Sequence, residues 1–388
     1  GFVPRQQDSS VWVHAVSLGE VRSAVPMITE FLRNGDIIVI TCATPAGRRE
    51  AEKTFSTEIK DARLTVTYMP LDMRWTWSWF LRRMKPKFGL VMEVEFWPMM
   101  IATCRRKKVP LMLCNGQYPG KSFAKDRANH AMRIMLPSGF AGVMVKSEML
   151  ADRFRSIGCT NIAVTGELRF EQPLPLEVIA AGEMLKASIH RPVITIASVV
   201  KGEDEVFIPA LQQVMNLDPK PLIVYVPRAP ERFNVTAQKL ADAGFNVAKR
   251  SDVLDAQLKG IPNLSDLDIL VGDSLGEMYF YLALADKVIV GGGFVPAGSH
   301  NMSEALALGK PVVLGPNIHT IEYPATEALA NDAAIQVRHQ SDLIDAIVCT
   351  KQRMRPDPTV VKFFAAHSGA VAKTMAAIPQ LIAKYRDT

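Results

Sequence analysis

Apolar residues in this chain come in short runs, and between the runs lie stretches with helical periodicity. Residues 11–16 form such a run, and Val21, Val25, Ile28 and Leu32 recur behind it at helical spacing. Further strand-like runs cover residues 36–41, 64–68, 88–92, 110–114, 142–145 and 162–164, with a helical stretch at 45–55. Gln172-Pro173-Leu174-Pro175 then reads as a linker. Beyond it runs begin again at 193–197, 221–226, 245–248, 269–271, 287–290, 311–314 and 334–337. Strands alternating with helices call for parallel sheets. The expectation is an α/β chain of two Rossmann-like domains facing across a cleft, at 1–170 and 191–360, with a linker at 171–190. The pattern at 361–385 predicts one long helix, so that 361–388 crosses back to the first domain.

Composition narrows the class. The chain has 388 residues, enough for two cores, and 48% hydrophobic with 22% charged residues is ordinary globular usage. Five scattered cysteines, with no CxxC or Cys/His spacing, indicate neither a disulfide framework nor a zinc site, which fits a reducing compartment. Residues 1–170 carry 25 Lys and Arg against 15 Asp and Glu, whereas 171–388 carry 20 against 24. The basic half calls for an anionic partner. No zinc finger or RNA-recognition signature points to nucleic acid, which leaves a phosphorylated substrate or an anionic membrane surface.

Candidate chemistry gathers where strands end. Glu20 lies on the turn after the first strand, a place from which a carboxylate reaches a ligand and serves as a base, although a first-turn Glu also complements a helix dipole. Glu93 and Glu95, one residue apart after the run at 88–92, face the same side if the chain stays extended. Asn115 follows the run at 110–114 and leads to Lys121 and Ser122. Between these lies 74–87, with Trp75, Trp77, Trp79 and five basic residues; Trp75 and Trp79 share a helical face, which suits either an interfacial membrane segment or a helix packed on the sheet with a solvated basic edge.

The second half offers three comparable turns. Arg228 follows a strand, where its guanidinium suits a phosphate. Ser274, Leu275, Gly276 and Glu277 lie in a segment read as opening a helix, with amides free for an anion or a base edge. Gly291-Gly292-Gly293 matches neither a Walker loop nor GxGxxG. Asn301 and Glu304 are read on one face of the next helix, with Glu304 placed to accept from ribose hydroxyls. Taken with Arg228 and Glu304, Gly292 and Gly293 favour a nucleotide-sugar site over a dinucleotide site.

These segments carry a resemblance. His14-Ala15-Val16-Ser17-Leu18-Gly19-Glu20, Met92-Glu93-Val94-Glu95-Phe96-Trp97-Pro98, Val226-Pro227-Arg228, Gly272-Asp273-Ser274-Leu275-Gly276-Glu277 and Gly291-Gly292-Gly293-Phe294-Val295-Pro296 occur in an order that resembles the Kdo transferases. Those enzymes add 3-deoxy-D-manno-octulosonic acid (Kdo) from CMP-Kdo to the lipid A precursor. The resemblance implies an inverting, metal-independent GT-B glycosyltransferase without a cofactor. It also implies acceptor binding in the first domain, CMP-Kdo binding in the second, and a place on the cytoplasmic face of the inner membrane. An upstream anchor helix would then precede Gly1. The chain departs from the family pattern at Gln117, Ala229 and Ala297.

For this chemistry Glu20 is expected to deprotonate the attacking hydroxyl, with Glu93 and Glu95 orienting the acceptor or steadying charge on the donor sugar. Arg228 and the turns at Ser274 and Asn301 would stabilise the departing CMP. Rival readings are a GT-B enzyme using a UDP-sugar, such as a UDP-GlcNAc 2-epimerase or a lipid A disaccharide synthase, a paralogue with another acceptor, and a non-catalytic membrane-surface module.

Overall fold

The computed structural model describes residues 9–129, 132–260, 262–348 and 356–387. The chain divides into two compact units, Gly1–Pro173 with His367–Thr388, and Leu174–Ala366.

The first unit is built on a parallel sheet of seven strands: β1 (Ser10–His14), β2 (Ile37–Cys42), β3 (Leu64–Tyr68), β4 (Pro86–Met92), β5 (Leu111–Gly116), β6 (Gly142–Val145) and β7 (Ile162–Val164). Their order is β3-β2-β1-β4-β5-β6-β7. Every residue of β1 is buried, because helices cover both faces and leave no side for water. Val11 and Val13 belong to one apolar cluster with Val21, Ala24 and Ile28 of helix Leu18–Arg33 and Ile378 and Leu381 of helix Ala370–Asp387. Trp12, on the opposite face, packs against Trp77 and Phe80 of helix Arg74–Met84, with ring centroids 5.5 and 5.0 Å away. Gly89 on β4 makes room for that indole, since a Cβ there would come within 2.6 Å of Trp12 Cε3.

The second unit repeats the plan with β8 (Val193–Val199), β9 (Leu222–Pro227), β10 (Val247–Lys249), β11 (Ile269–Val271), β12 (Lys287–Val290), β13 (Val312–Leu314) and β14 (Ala334–Gln336). All its pairings are parallel, in the order β10-β11-β9-β8-β12-β13-β14. In each sheet the direction of winding reverses once, between β1 and β4 and between β8 and β12. A sheet of this kind opens a crevice at the carboxyl ends of those two strands.

Two expectations change. The pattern at 361–385 is not one helix: helix Pro358–His367 belongs to the second unit up to Ala366, Gly369 turns the chain with φ +87°, and helix Ala370–Asp387 belongs to the first unit. Asn161 Nδ2 donates to the Leu381 carbonyl (2.9 Å), and the Val371 amide donates to Glu171 Oε1 (2.9 Å). The stretch 171–190 is likewise more than a linker, for helix Leu176–Ala187 packs on helix Met278–Leu284 of its own unit. Gly182 permits that approach, because a Cβ would lie 2.6 Å from the Phe280 carbonyl oxygen. No described helix is long and apolar enough to cross a membrane.

Candidate active site

At the first reversal point, Ser17 caps helix Leu18–Arg33 and its hydroxyl accepts from the Glu20 amide (3.4 Å). Glu20 answers in the manner of a capping box: Oε2 accepts from the Val16 amide (2.8 Å) and Oε1 from the Ser17 hydroxyl (3.0 Å). The side chain thus serves the helix start, and it is also the candidate base. Glu20 is 8% exposed. Burial pushes its carboxyl up to about 7, with Glu93 and Glu95 adding repulsion and the Val16 and Ser17 hydrogen bonds opposing. Each carboxylate oxygen keeps a second lone pair for a proton.

Glu93 follows β4, but the chain does not stay extended there. Its φ is +58°, a left-handed conformation costly for a residue with a Cβ, and the turn parts it from Glu95. Glu93 Oε1 accepts from Arg169 Nη2 and Oε2 from Gln117 Nε2, both at 2.9 Å. Glu95 accepts from the Trp97 indole (2.9 Å) instead, and burial raises its carboxyl, with Glu93 contributing. Arg169 Nε donates to Ser23 Oγ (2.7 Å), tying the first helix to Glu93. Lys146, almost fully buried, stands 2.9 Å from Glu167 and 3.8 Å from Glu93, and donates to Gln117 Oε1 (3.2 Å). Burial alone would raise the Glu167 carboxyl, but Lys146, Arg169 and hydrogen bonds from Lys146 and Asn115 bring it below its ordinary value. Asn115 spends its side chain on Glu167 (3.0 Å) and the Leu168 amide (3.1 Å). It is buried and fixes this network.

Lys121 is exposed and Ser122 half-buried in the first turn of helix Gly120–Ala128, just after β5. His14 ends β1 with Nδ1 2.8 Å from Thr41 Oγ1, and burial lowers it to about 4, so it stays neutral. Of the three tryptophans, Trp77 is core, whereas Trp75 and Trp79 are 70% and 46% exposed and the Arg83 guanidinium lies over Trp79.

In the second unit Arg228 follows β9 with an exposed side chain. Burial, with Arg228 nearby, lowers His300 below its ordinary value, and its Nε2 and the Ser299 hydroxyl are buried without a hydrogen-bond partner among the described residues. Two expectations are corrected here. Ser274 does not open a helix: helix Met278–Leu284 starts later, and Ser274 Oγ donates to Glu277, which also receives Arg250 Nη2. Glu277 thus holds its own loop, while Leu275 is exposed and Gly276 turns the chain at φ +86°. Asn301 precedes the helix rather than sharing its face with Glu304: the helix is Ser303–Ala307, and Asn301 Oδ1 accepts from the Ser303 amide (3.0 Å). Gly292 lies at φ +86°, where a Cβ would come within 2.4 Å of the Gly298 carbonyl oxygen, and a Cβ on Gly293 would meet Ser299 Oγ at 2.2 Å.

Lys146, Glu167, Arg169, Glu203 and His300 escape the motif reading. None of them stands inside the motif segments that carry the resemblance, and nothing in their spacing reveals their partners. The described residues contain no cluster of His, Cys, Asp and Glu able to hold a metal ion, and the four described cysteines are free and buried.

Two seven-stranded parallel sheets of this topology define the GT-B class of glycosyltransferases and related enzymes. UDP-GlcNAc 2-epimerase from Neisseria meningitidis matches with a TM-score of 0.61 at 15% identity, over 97% of this chain and 100% of that one. A glycosyltransferase from Rickettsia africae matches with a TM-score of 0.60 at 10% identity, over 97% and 99%. Residues 1–172 match the family described as 3-Deoxy-D-manno-octulosonic-acid transferase (kdotransferase). The chain is 35% identical to the 3-deoxy-D-manno-octulosonic acid transferase of Bordetella pertussis over 97% of its own length and 88% of that protein, and 28% identical to that of Haemophilus influenzae over 81% and 72%. It belongs to the Kdo transferase family and is a glycosyltransferase.

Proposed function

We propose that this chain moves Kdo from CMP-Kdo to a hydroxyl of the lipid A precursor, lipid IVA, with inversion and with Glu20 as general base. The acceptor oxygen attacks the anomeric carbon of Kdo, the bond from that carbon to the CMP phosphate breaks with its electron pair leaving on the phosphate, and the hydroxyl proton passes to Glu20. The observation that carries this reading is a desolvated carboxylate at the first reversal point, held near pKa 7 with two more carboxylates beside it. Such a group is about half ionised at neutral pH and basic enough to accept a proton.

Glu93, clamped by Arg169 and Gln117, orients the acceptor, and Glu95 faces the charge that grows on the donor sugar. Asn115 acts by positioning Glu167, while Lys121 and Ser122 are offered to the acceptor's phosphates. In the second unit Arg228 takes the donor phosphate, with Gly292 and Gly293 allowing close approach. The turn of Ser274, Leu275, Gly276 and Glu277 bounds the nucleoside, and Asn301 and Glu304 lie toward the ribose. Exposed Trp75 and Trp79 beside Arg74, Arg82 and Arg83 fit an anionic membrane surface, and we assign the chain to the cytoplasmic face of the inner membrane.

Incubation with freshly generated CMP-Kdo and lipid IVA, read by mass spectrometry of the lipid, tests the activity. Wild type adds the mass of at least one Kdo, and Glu20→Gln loses roughly 100-fold or more in rate while still binding CMP. A product with unchanged lipid mass overturns the acceptor assignment, and an active Glu20→Gln overturns the base.

A further inference from the structure

The glycine-rich turn after β12 presents main-chain N–H groups at the second reversal point, the usual setting for an anion. The protein fills that place itself. Glu203 stands immediately before helix Asp204–Val214, on the loop leaving β8, and is fully buried. Its Oε1 accepts from the Phe294 amide (3.0 Å), its Oε2 from the Val200 amide (3.0 Å), and the Gly292 amide donates to the same carboxylate. One side chain thereby ties the loop after β8 to the turn after β12.

The surroundings leave little choice of group. A Cβ on Gly291 would lie 2.9 Å from Glu203 Oε2 and 2.6 Å from the Ser198 carbonyl oxygen, so the turn is pressed against the loop that carries the carboxylate. Phe294 packs on Phe207 of the following helix with ring centroids 4.9 Å apart, anchoring the far side of the turn. A neutral side chain of the same size offers fewer acceptor lone pairs to three amide donors. Hydrogen bonds to a charged acceptor are also about twice as strong as neutral ones.

We infer that Glu203 is a positioning residue for the donor site: its carboxylate occupies the anion nest of the glycine-rich turn and fixes that turn, so the donor's phosphate is left to the side chains beside it, Arg228 and His300. The part concerning CMP-Kdo rests on the donor assignment above; the part concerning the turn does not.

The test compares wild type, Glu203→Ala and Glu203→Gln by two readouts: CMP affinity from calorimetry, and hydrogen exchange of the peptide spanning 291–299 from mass spectrometry. Each is run in chloride and in formate at equal ionic strength, formate being a carboxylate small enough for the vacated nest. Glu203→Ala is expected to exchange faster over 291–299 and to bind CMP about tenfold more weakly, a loss of about 1.4 kcal/mol. Formate, unlike chloride, restores both. In the transfer assay the loss falls on donor KM and not on kcat. Unchanged exchange in the variant, or a loss that formate does not reverse, overturns the proposal. If Glu203→Ala does not fold, Glu203→Gln decides by exchange: acceleration over 291–299 supports the role, and wild-type exchange overturns it. If wild type itself fails to bind CMP, the donor assignment falls, and the exchange readout still judges Glu203.

Discussion

As the proposed base, Glu20 carries opposite consequences for rate and for stability. Its folded pKa of about 7 lies above the ordinary 4.5, so the folded state holds a proton between those values that the unfolded chain has already released. The buried charge therefore weakens the fold as pH rises from about 4.5 to about 7, and the full penalty persists above that. Two measurements follow from this sign. kcat/KM for transfer rises through about pH 7 and levels off on the alkaline side, and Glu93→Gln moves that midpoint down, because it removes a negative neighbour and leaves Arg169 uncompensated. Glu20→Gln melts at or above the wild-type temperature at pH 8, and the gap narrows as pH falls below 7; a variant that is less stable at pH 8 would mean that the capping hydrogen bonds outweigh the buried charge.

Elements succeed or fail on a few tight contacts. Gly89→Ala would drive a methyl against Trp12 and Leu111, overpacking the joint between β1, β4 and β5, and is expected to cost about 1–3 kcal/mol in chemical unfolding with no change in CMP affinity. The strands themselves were readable because buried parallel strands are short apolar runs, and β1 or β12 can scarcely be anything else. Helix Leu176–Ala187 was hidden by the prolines at its entry, and the break at Gly369 by apolar residues that continue in helical register on both sides of it. The candidate site was legible in part. Glu20, Glu93 and Glu95 announced themselves by lying at strand ends, but their clamps did not: Lys146 and Arg169 are 53 and 76 residues from Glu93, and only the sheet brings them to it. Amides also cannot be read from letters, so nothing in the glycine run shows that Glu203 holds Gly292.

Over the whole molecule the two halves differ in charge, and the basic half carries the exposed tryptophans. The chain is expected to sediment with vesicles containing anionic lipid and to release from them as salt is raised, since the contribution of each cation decays within a Debye length. Trp75→Ala with Trp79→Ala lowers partitioning several-fold at any salt, whereas Arg82→Gln with Arg83→Gln lowers it only at low salt. Equal binding to neutral vesicles would remove the electrostatic part of the assignment.

Helix Ala370–Asp387 completes the first unit's core through Ile378 and Leu381. In topological language, Leu174–Ala366 is an insertion, and the chain leaves and re-enters its host at neighbouring points, where Glu171 grips the amide of Val371. A cut at Pro173 would strip the host of the helix that lies against β6 and β7 and expose an apolar strip. Exchange of the inserted body as a cassette between those two points would leave the host core whole, so under the proposed division of donor and acceptor between the two units the two choices part at two splice points rather than one.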